Sequence, residues 1–129
     1  MKLFFDENFG PKVPDALRRV GAPCADIERP RRGGSVAPGA SDIDWIRWVG
    51  QEGYLALTED LAMLRSAVEL DAVRTSGAGV VCFSTGSQAR WRALARLLRR
   101  WEWLTEVDAQ VARPFVYRVP LRGRAERIL

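Results

Sequence analysis

The run "AGVVCFS" at residues 78–84 is apolar and β-branched with no polar interruption, so it reads as a strand buried on both faces. Three more short apolar runs share its character: "KLFF" at 2–5, "YLALT" at 54–58 and "PFVYRV" at 114–119. "PCADI" at 23–27 is a further candidate strand. Segments of helical spacing separate them. Residues 12–20 place Val13, Leu17 and Val20 on one side, with Gly21 as a stop. Residues 42–53 follow Ser41, a capping residue, and end near Gly50 or Gly53. Residues 59–73 carry Leu61, Leu64 and Val68, and residues 87–104 carry a stripe of Trp91, Leu94, Leu98 and Trp101. Strand then helix, four times over, with a closing strand, predicts an α/β fold around a parallel sheet covered on both faces. Pro114 places the last strand at an edge, because proline cannot donate to a ladder. Residues 1–120 form one domain, and the basic stretch "LRGRAERIL" at 121–129 is expected to be a loosely held tail. The Pro-, Gly- and Arg-rich stretch "ERPRRGGSVAPGAS" is a loop whose length suggests function or mobility.

Histidine is absent from the 129 residues. That excludes Ser-His-Asp and Cys-His catalysis and imidazole metal ligands. Cys24 and Cys82 stand apart in separate apolar segments and match no zinc or redox spacing, so they read as reduced core thiols. The remaining inventory of carboxylates, hydroxyls and arginines suits a hard divalent cation best. Charge is unevenly spread. Residues 1–60 hold ten acids against eight bases, whereas from Leu61 onward twelve arginines face six acids. That split suits a cation site beside a polyanion-binding surface, or simply a solvated arginine-rich face. No run approaches the roughly 20 apolar residues of a membrane span, and Asp6 and Glu7 interrupt the N-terminal apolar run, so the expected location is the cytoplasm.

In a parallel sheet the turns after successive strands share one rim, where ligands bind. Asp6 and Glu7 close the first strand, Glu59 and Asp60 close the "YLALT" strand, and Asp42 and Asp44 open the helix after the long loop. Three segments therefore deliver paired acids to one rim. Each pair also has an ordinary explanation, since acids favour the first turn of a helix. Thr58, for instance, could cap a helix that has Asp60 in its first turn.

A hydrophobic strand ending Asp6-Glu7-Asn8, a proline-containing helix, "SDIDWI" at 41–46 and "LTED" at 57–60 together resemble the compact PIN-like domains, particularly those grouped with VapC-type toxins. The resemblance spans residues 1–120. It implies a three-layer α/β/α sandwich with a central, mainly parallel sheet of four to five strands, and Mg²⁺ or Mn²⁺ held by acids. The matching positions are Asp6, Asp42 and Asp60, with Glu7 and Asp44 as neighbouring ligands directly or through water. Asn8, Thr58, Arg31 and Arg32 are the candidates for substrate contact. Three departures stand out: Gly21-Ala22-Pro23 follows the first helix where similar sequences often carry Gly-His, Glu59 occupies a position that is often basic, and "FSTGS" after the fourth strand offers only hydroxyls.

The implied activity is hydrolysis of RNA to a 5′-phosphate and a 3′-hydroxyl, with a small cognate antitoxin covering the acidic rim and a homodimer as the assembly. Arg90, Arg92, Arg96, Arg99 and Arg100 could hold flanking phosphates, since guanidinium matches phosphate bidentately. Rival readings remain open at this point. A receiver domain lacks its expected lysine after the last strand, and a phosphatase lacks Asp-x-Asp after the first. A PIN-like RNA-binding or partner-binding module without catalysis is the stronger rival.

Overall fold

The computed structural model describes residues 1–84 and 89–129. Its strands are β1 (Lys2–Phe5), β2 (Asp26–Glu28), β3 (Leu55–Thr58), β4 (Gly79–Phe83), β5 (Phe115–Val119) and β6 (Glu126–Arg127). Its helices are α1 (Lys12–Arg19), α2 (Asp42–Glu52), α3 (Ala67–Ser76), α4 (Arg90–Arg99) and α5 (Trp101–Gln110). The expected Thr85 and Ser87 hydroxyls, and the expected helix start at Ser87, lie outside the described residues.

The six strands form one sheet in the order β2-β1-β3-β4-β5-β6, parallel except for β6. The parallel part explains the unbroken apolar strands. In β1, Leu3 and Phe5 pack with Phe9, Leu17, Ala93 and Leu104 on the α1, α4 and α5 side. Phe4 between them packs with Trp45, Ile46 and Val73 on the α2 and α3 side. A strand with a helical layer over each face has no wet side to mark with a polar residue. Burying each such phenylalanine contributes about 2–3 kcal/mol, so the two cores together secure the three-layer order. Ser41 caps α2 by accepting from the Asp44 N–H at 3.2 Å, and Gly53 closes it at φ 72°.

Several helical readings shift in register. Trp91 and Leu98 are exposed, and α4 instead buries Ala93 and Leu97. The expected single helix over 87–104 breaks at Arg100, and α5 continues to Gln110. Its buried residues are Leu104 and Val107. Val20 is exposed although Val13 and Leu17 are buried. The helix expected over 59–73 is a 3₁₀ segment, Leu61–Arg65, followed by α3, which Ser66 caps. Leu61 and Val68 are exposed there, while Met63, Ala72 and Val73 fill the core.

The sheet has six strands where four to five were expected, because the tail contributes one. β6 pairs antiparallel with β5, and the Ile128 N–H donates to the Val116 carbonyl at 2.8 Å. The Leu129 carbonyl in turn accepts from the Val116 N–H at 3.1 Å. β5 is therefore an inner strand, despite Pro114. Deleting residues 121–129 is expected to cost about 2–4 kcal/mol, from several backbone hydrogen bonds near 1 kcal/mol each plus the packing of Leu129. A lower midpoint in urea unfolding would register it, and an unchanged midpoint would mean the tail adds nothing. Among the described residues, no helix is long and apolar enough to cross a membrane.

Candidate functional site

The parallel strand order reverses between β1 and β3: β1 is followed by β2 on one side, and β3 begins the march the other way. Crevices form at the carboxyl ends of such diverging strands. Here the crevice is a cavity of about 340 Å³ lined by Asp6, Glu7, Asn8, Pro30, Ala40, Asp42, Trp45 and Asp60.

Asp6 directly follows β1 and is almost fully buried. One carboxylate oxygen accepts from the Phe9 N–H at 3.1 Å, capping a 3₁₀ turn over Glu7–Phe9. The other accepts from the Thr58 hydroxyl at 2.6 Å. That hydroxyl also accepts from the Asp60 N–H at 3.0 Å, so Thr58 joins the ends of β1 and β3. Asp60 caps the next 3₁₀ segment through the Ala62 N–H, at 3.0 Å. The Cys82 thiol donates to the Asp60 carbonyl at 3.4 Å. Burial, with Asp60 and Asp6 nearby, pushes that thiol up to about 12, so it stays protonated. Capping and site-building are therefore the same act: turn chemistry fixes the acids where the strands deliver them.

Asp42, in the first turn of α2, accepts from the Trp45 indole N–H at 2.8 Å. Burial pushes Asp6 up to about 7, against the hydrogen bonds from Thr58 and Phe9, and the charges of Asp42 and Asp60 push the same way. Glu69 joins them. Burial, its hydrogen bond with Asp42 and the charges of Asp42 and Asp60 raise it to about 7. Among the described residues, Asp6, Asp42, Asp60 and Glu69 pair with no arginine or lysine. Also among the described residues, no three acidic or cysteine side chains already close into a ligand sphere, so sharing one ion requires them to draw together.

The sequence-expected residues separate accordingly. Asp6, Asp42 and Asp60 meet in the cavity, with Glu7 and Asn8 exposed at its mouth. Glu7 accepts from the Gly39 N–H and so ties the long loop across the rim. Asp44 is exposed and is not among the lining residues, which distinguishes it from Asp42. Thr58, expected to touch substrate, is wholly buried and holds the acids instead. Arg31 pairs with Glu28 at 3.6 Å in a neighbouring cleft with Asp15, Arg18 and Arg29, and Arg32 is exposed on the loop. Glu59 turns away to Arg90, 2.9 Å distant. Two members were missed. Trp45, which lines the cavity, holds Asp42 through its indole N–H, and Glu69 engages the same carboxylate from α3. "SAVE" at 66–69 fits a capping box, and the Glu69 N–H does donate to Ser66, but the carboxylate engages Asp42.

No curated protein and no solved structure matches the chain. A family model described as PIN like domain matches residues 1–85. The match takes in every segment that supplies an acid to the cavity, from Asp6 and Glu7 through Asp42 to Asp60, and also Glu69 beside Asp42. A mostly parallel sheet between two helical layers, a nuclease-type arrangement, and this match over most of the chain agree: the chain belongs to the PIN-like domain family.

Proposed function

We propose that the chain is a metal-dependent endoribonuclease that hydrolyses phosphodiester bonds of RNA at the acidic cavity. The observation that carries this reading is the meeting of Asp6, Asp42 and Asp60 at the strand switch, with Glu69 bonded to Asp42 and no basic partner among the described residues. Such a donor set fits a hard divalent cation: every donor is oxygen, and burial first, with the neighbouring acidic charges adding to it, raises Asp6 and Glu69 toward neutrality. When bound, Mg²⁺ or Mn²⁺ would supply positive charge at the scissile phosphate and acidify an attacking water. Asp6, Asp42 and Asp60 would hold the ion, with Thr58 and Trp45 fixing the first two. Glu69 is suited to give up its proton as the ion arrives, and Glu7 and Asn8 to meet the substrate at the mouth. Arg32 is free to steer a flanking phosphate.

Calorimetric titration with Mn²⁺ tests the site. Binding should release protons from Asp6 and Glu69, so the heat should depend on the buffer, and affinity should fall as pH drops through about 7. Glu69→Gln should weaken Mn²⁺ by about tenfold. No heat and no cleavage of single-stranded RNA would favour a non-catalytic binding module instead.

We further propose, from the resemblance of the Asp6-Glu7-Asn8, "SDIDWI" and "LTED" motifs to VapC-type toxins, that the chain is the toxin of a type II toxin–antitoxin pair and acts as a homodimer. An antitoxin arginine entering the cavity would neutralise the unpaired acids. Expression should then arrest growth, and a small partner encoded nearby should co-purify; growth unaffected and the chain recovered alone would sink this part.

A further inference from the structure

The rim changes sign along its length. Past the acids of β1 and β3 lies a second cavity of about 350 Å³, lined by Arg92, Ala95, Arg96, Arg99, Leu121 and Arg122. The four α4 residues recur at helical spacing, so they form one flank of that helix. Arg96 is the keystone. It donates to the Ser84 carbonyl at 3.3 Å, just past β4, and to the Pro120 carbonyl at 2.9 Å, just past β5. Arg100 donates to the Gly123 carbonyl at 2.6 Å and holds the opposite wall in place. The cleft therefore sits at the carboxyl ends of β4 and β5, on the same rim as the acids of β1 and β3. Neighbouring strands stand about 4.8 Å apart, so β3 and β5 are separated by roughly 10 Å.

Arg92, Arg99 and Arg122 are exposed, and among the described residues none pairs with a carboxylate. Arg96 is lowered, first by burial and next by the charge of Arg100, with Arg99 adding to it and the Glu59 carboxylate opposing in part. Like charges held this close are costly unless an anion joins them. The acidic cavity has the opposite difficulty, because it repels the very backbone a nuclease must hold.

We propose that the Arg92–Arg96–Arg99–Arg122 cleft binds the phosphodiester backbone of a single nucleic-acid strand whose neighbouring segment crosses the acidic cavity. The inference rests on the ribonuclease reading for the identity of the strand as RNA, but the binding itself requires neither metal nor cleavage. Guanidinium groups fit phosphate oxygens two at a time, and a row of them tracks a backbone without reading sequence.

The test is fluorescence anisotropy with a labelled 12-nucleotide oligouridine in EDTA, across a salt series, with urea midpoints as a folding control. Arg92→Gln with Arg99→Gln should weaken binding at least tenfold and reduce the logarithmic salt slope by about 1.4, at about 0.7 per lost phosphate contact. Arg122→Gln should lose severalfold. Arg96 is left intact because it braces the two strand ends. Arg65→Gln with Arg74→Gln removes the same charge near and on α3 and should change little. Unchanged affinity in the Arg92/Arg99 variant, or an equal loss in the Arg65/Arg74 control, would overturn the cleft. Equally tight binding of a polyglutamate peptide would overturn its assignment to nucleic acid. A chain that binds through these arginines yet never cleaves keeps the cleft and loses the ribonuclease reading; one that cleaves with affinity unchanged does the reverse.

Discussion

Asp6→Asn is expected to abolish metal-dependent RNA cleavage, by roughly a thousandfold or more, and also to make the folded protein more stable above pH 7. The loss of activity follows from removing a charged ligand that no neighbour replaces; several kcal/mol of stabilisation by the metal go with it. The gain in stability follows from burial. Asp6 is 4% exposed and its pKa rises from 3.8 to about 7 on folding. Below pH 4 both folded and unfolded chains hold the proton, so the carboxyl neither helps nor harms. Between about 4 and 7 the unfolded chain releases the proton and the folded one keeps it, so stability falls as pH rises. Above 7 the folded carboxylate is charged, and the full penalty, up to about 4 kcal/mol, is in place. Asparagine has no charge to bury and can still accept from the Phe9 N–H. Urea unfolding of both proteins at pH 4 and pH 8 checks this: the variant should match the parent at pH 4 and exceed it at pH 8. A variant weaker at both values would mean that Asp6 is a structural cap and little more.

Thr58→Val keeps the shape of a wholly buried side chain and removes its hydroxyl. Both hydrogen bonds then go: the donation to Asp6 at 2.6 Å and the acceptance from the Asp60 N–H at 3.0 Å. Leaving those two groups unsatisfied inside the protein should cost about 2–4 kcal/mol. Because the Thr58 bond holds the Asp6 pKa down, its loss should drive that pKa further up. Cleavage should then need a more alkaline solution, with the rising limb of the pH–rate profile displaced upward. Thr58→Ser should restore both the midpoint and the profile. If valine left the profile in place and moved only the midpoint, Thr58 would be a packing residue with no hold on the acid.

The meeting of Asp6 and Asp60 was legible because it follows from chain direction alone: parallel strands end on the same side, so whatever follows them is brought together. Asp42 was legible as one of a pair, but choosing it over Asp44 needed the rotation of α2 that points Trp45 at its carboxylate. Glu69 was not legible. Its local sequence is satisfied by capping, and its contact with Asp42 exists only because α3 lies against α2; there, Gly50 lets Ser76 approach where a Cβ would stand 2.3 Å from its carbonyl oxygen. The stripe over 87–104 was legible only in part: Leu94 and Trp101 pack against the core, whereas Trp91 and Leu98 are exposed. Close contact with α1 admits Ala93 and Leu97 and leaves Trp91 outside. A two-residue strand such as β6 has no periodicity to read at all.

That last strand has a bearing on how the protein behaves in a crowded solution. "FVYRV" is five residues of β-branched and aromatic character with a single charge, the composition that adds readily to other chains when its ladder lies open. β6 and the Leu129 carbonyl occupy that ladder. Until residues 121–129 have docked, the chain carries an open seam, and copies at high concentration stitch together along it before each completes its own sheet.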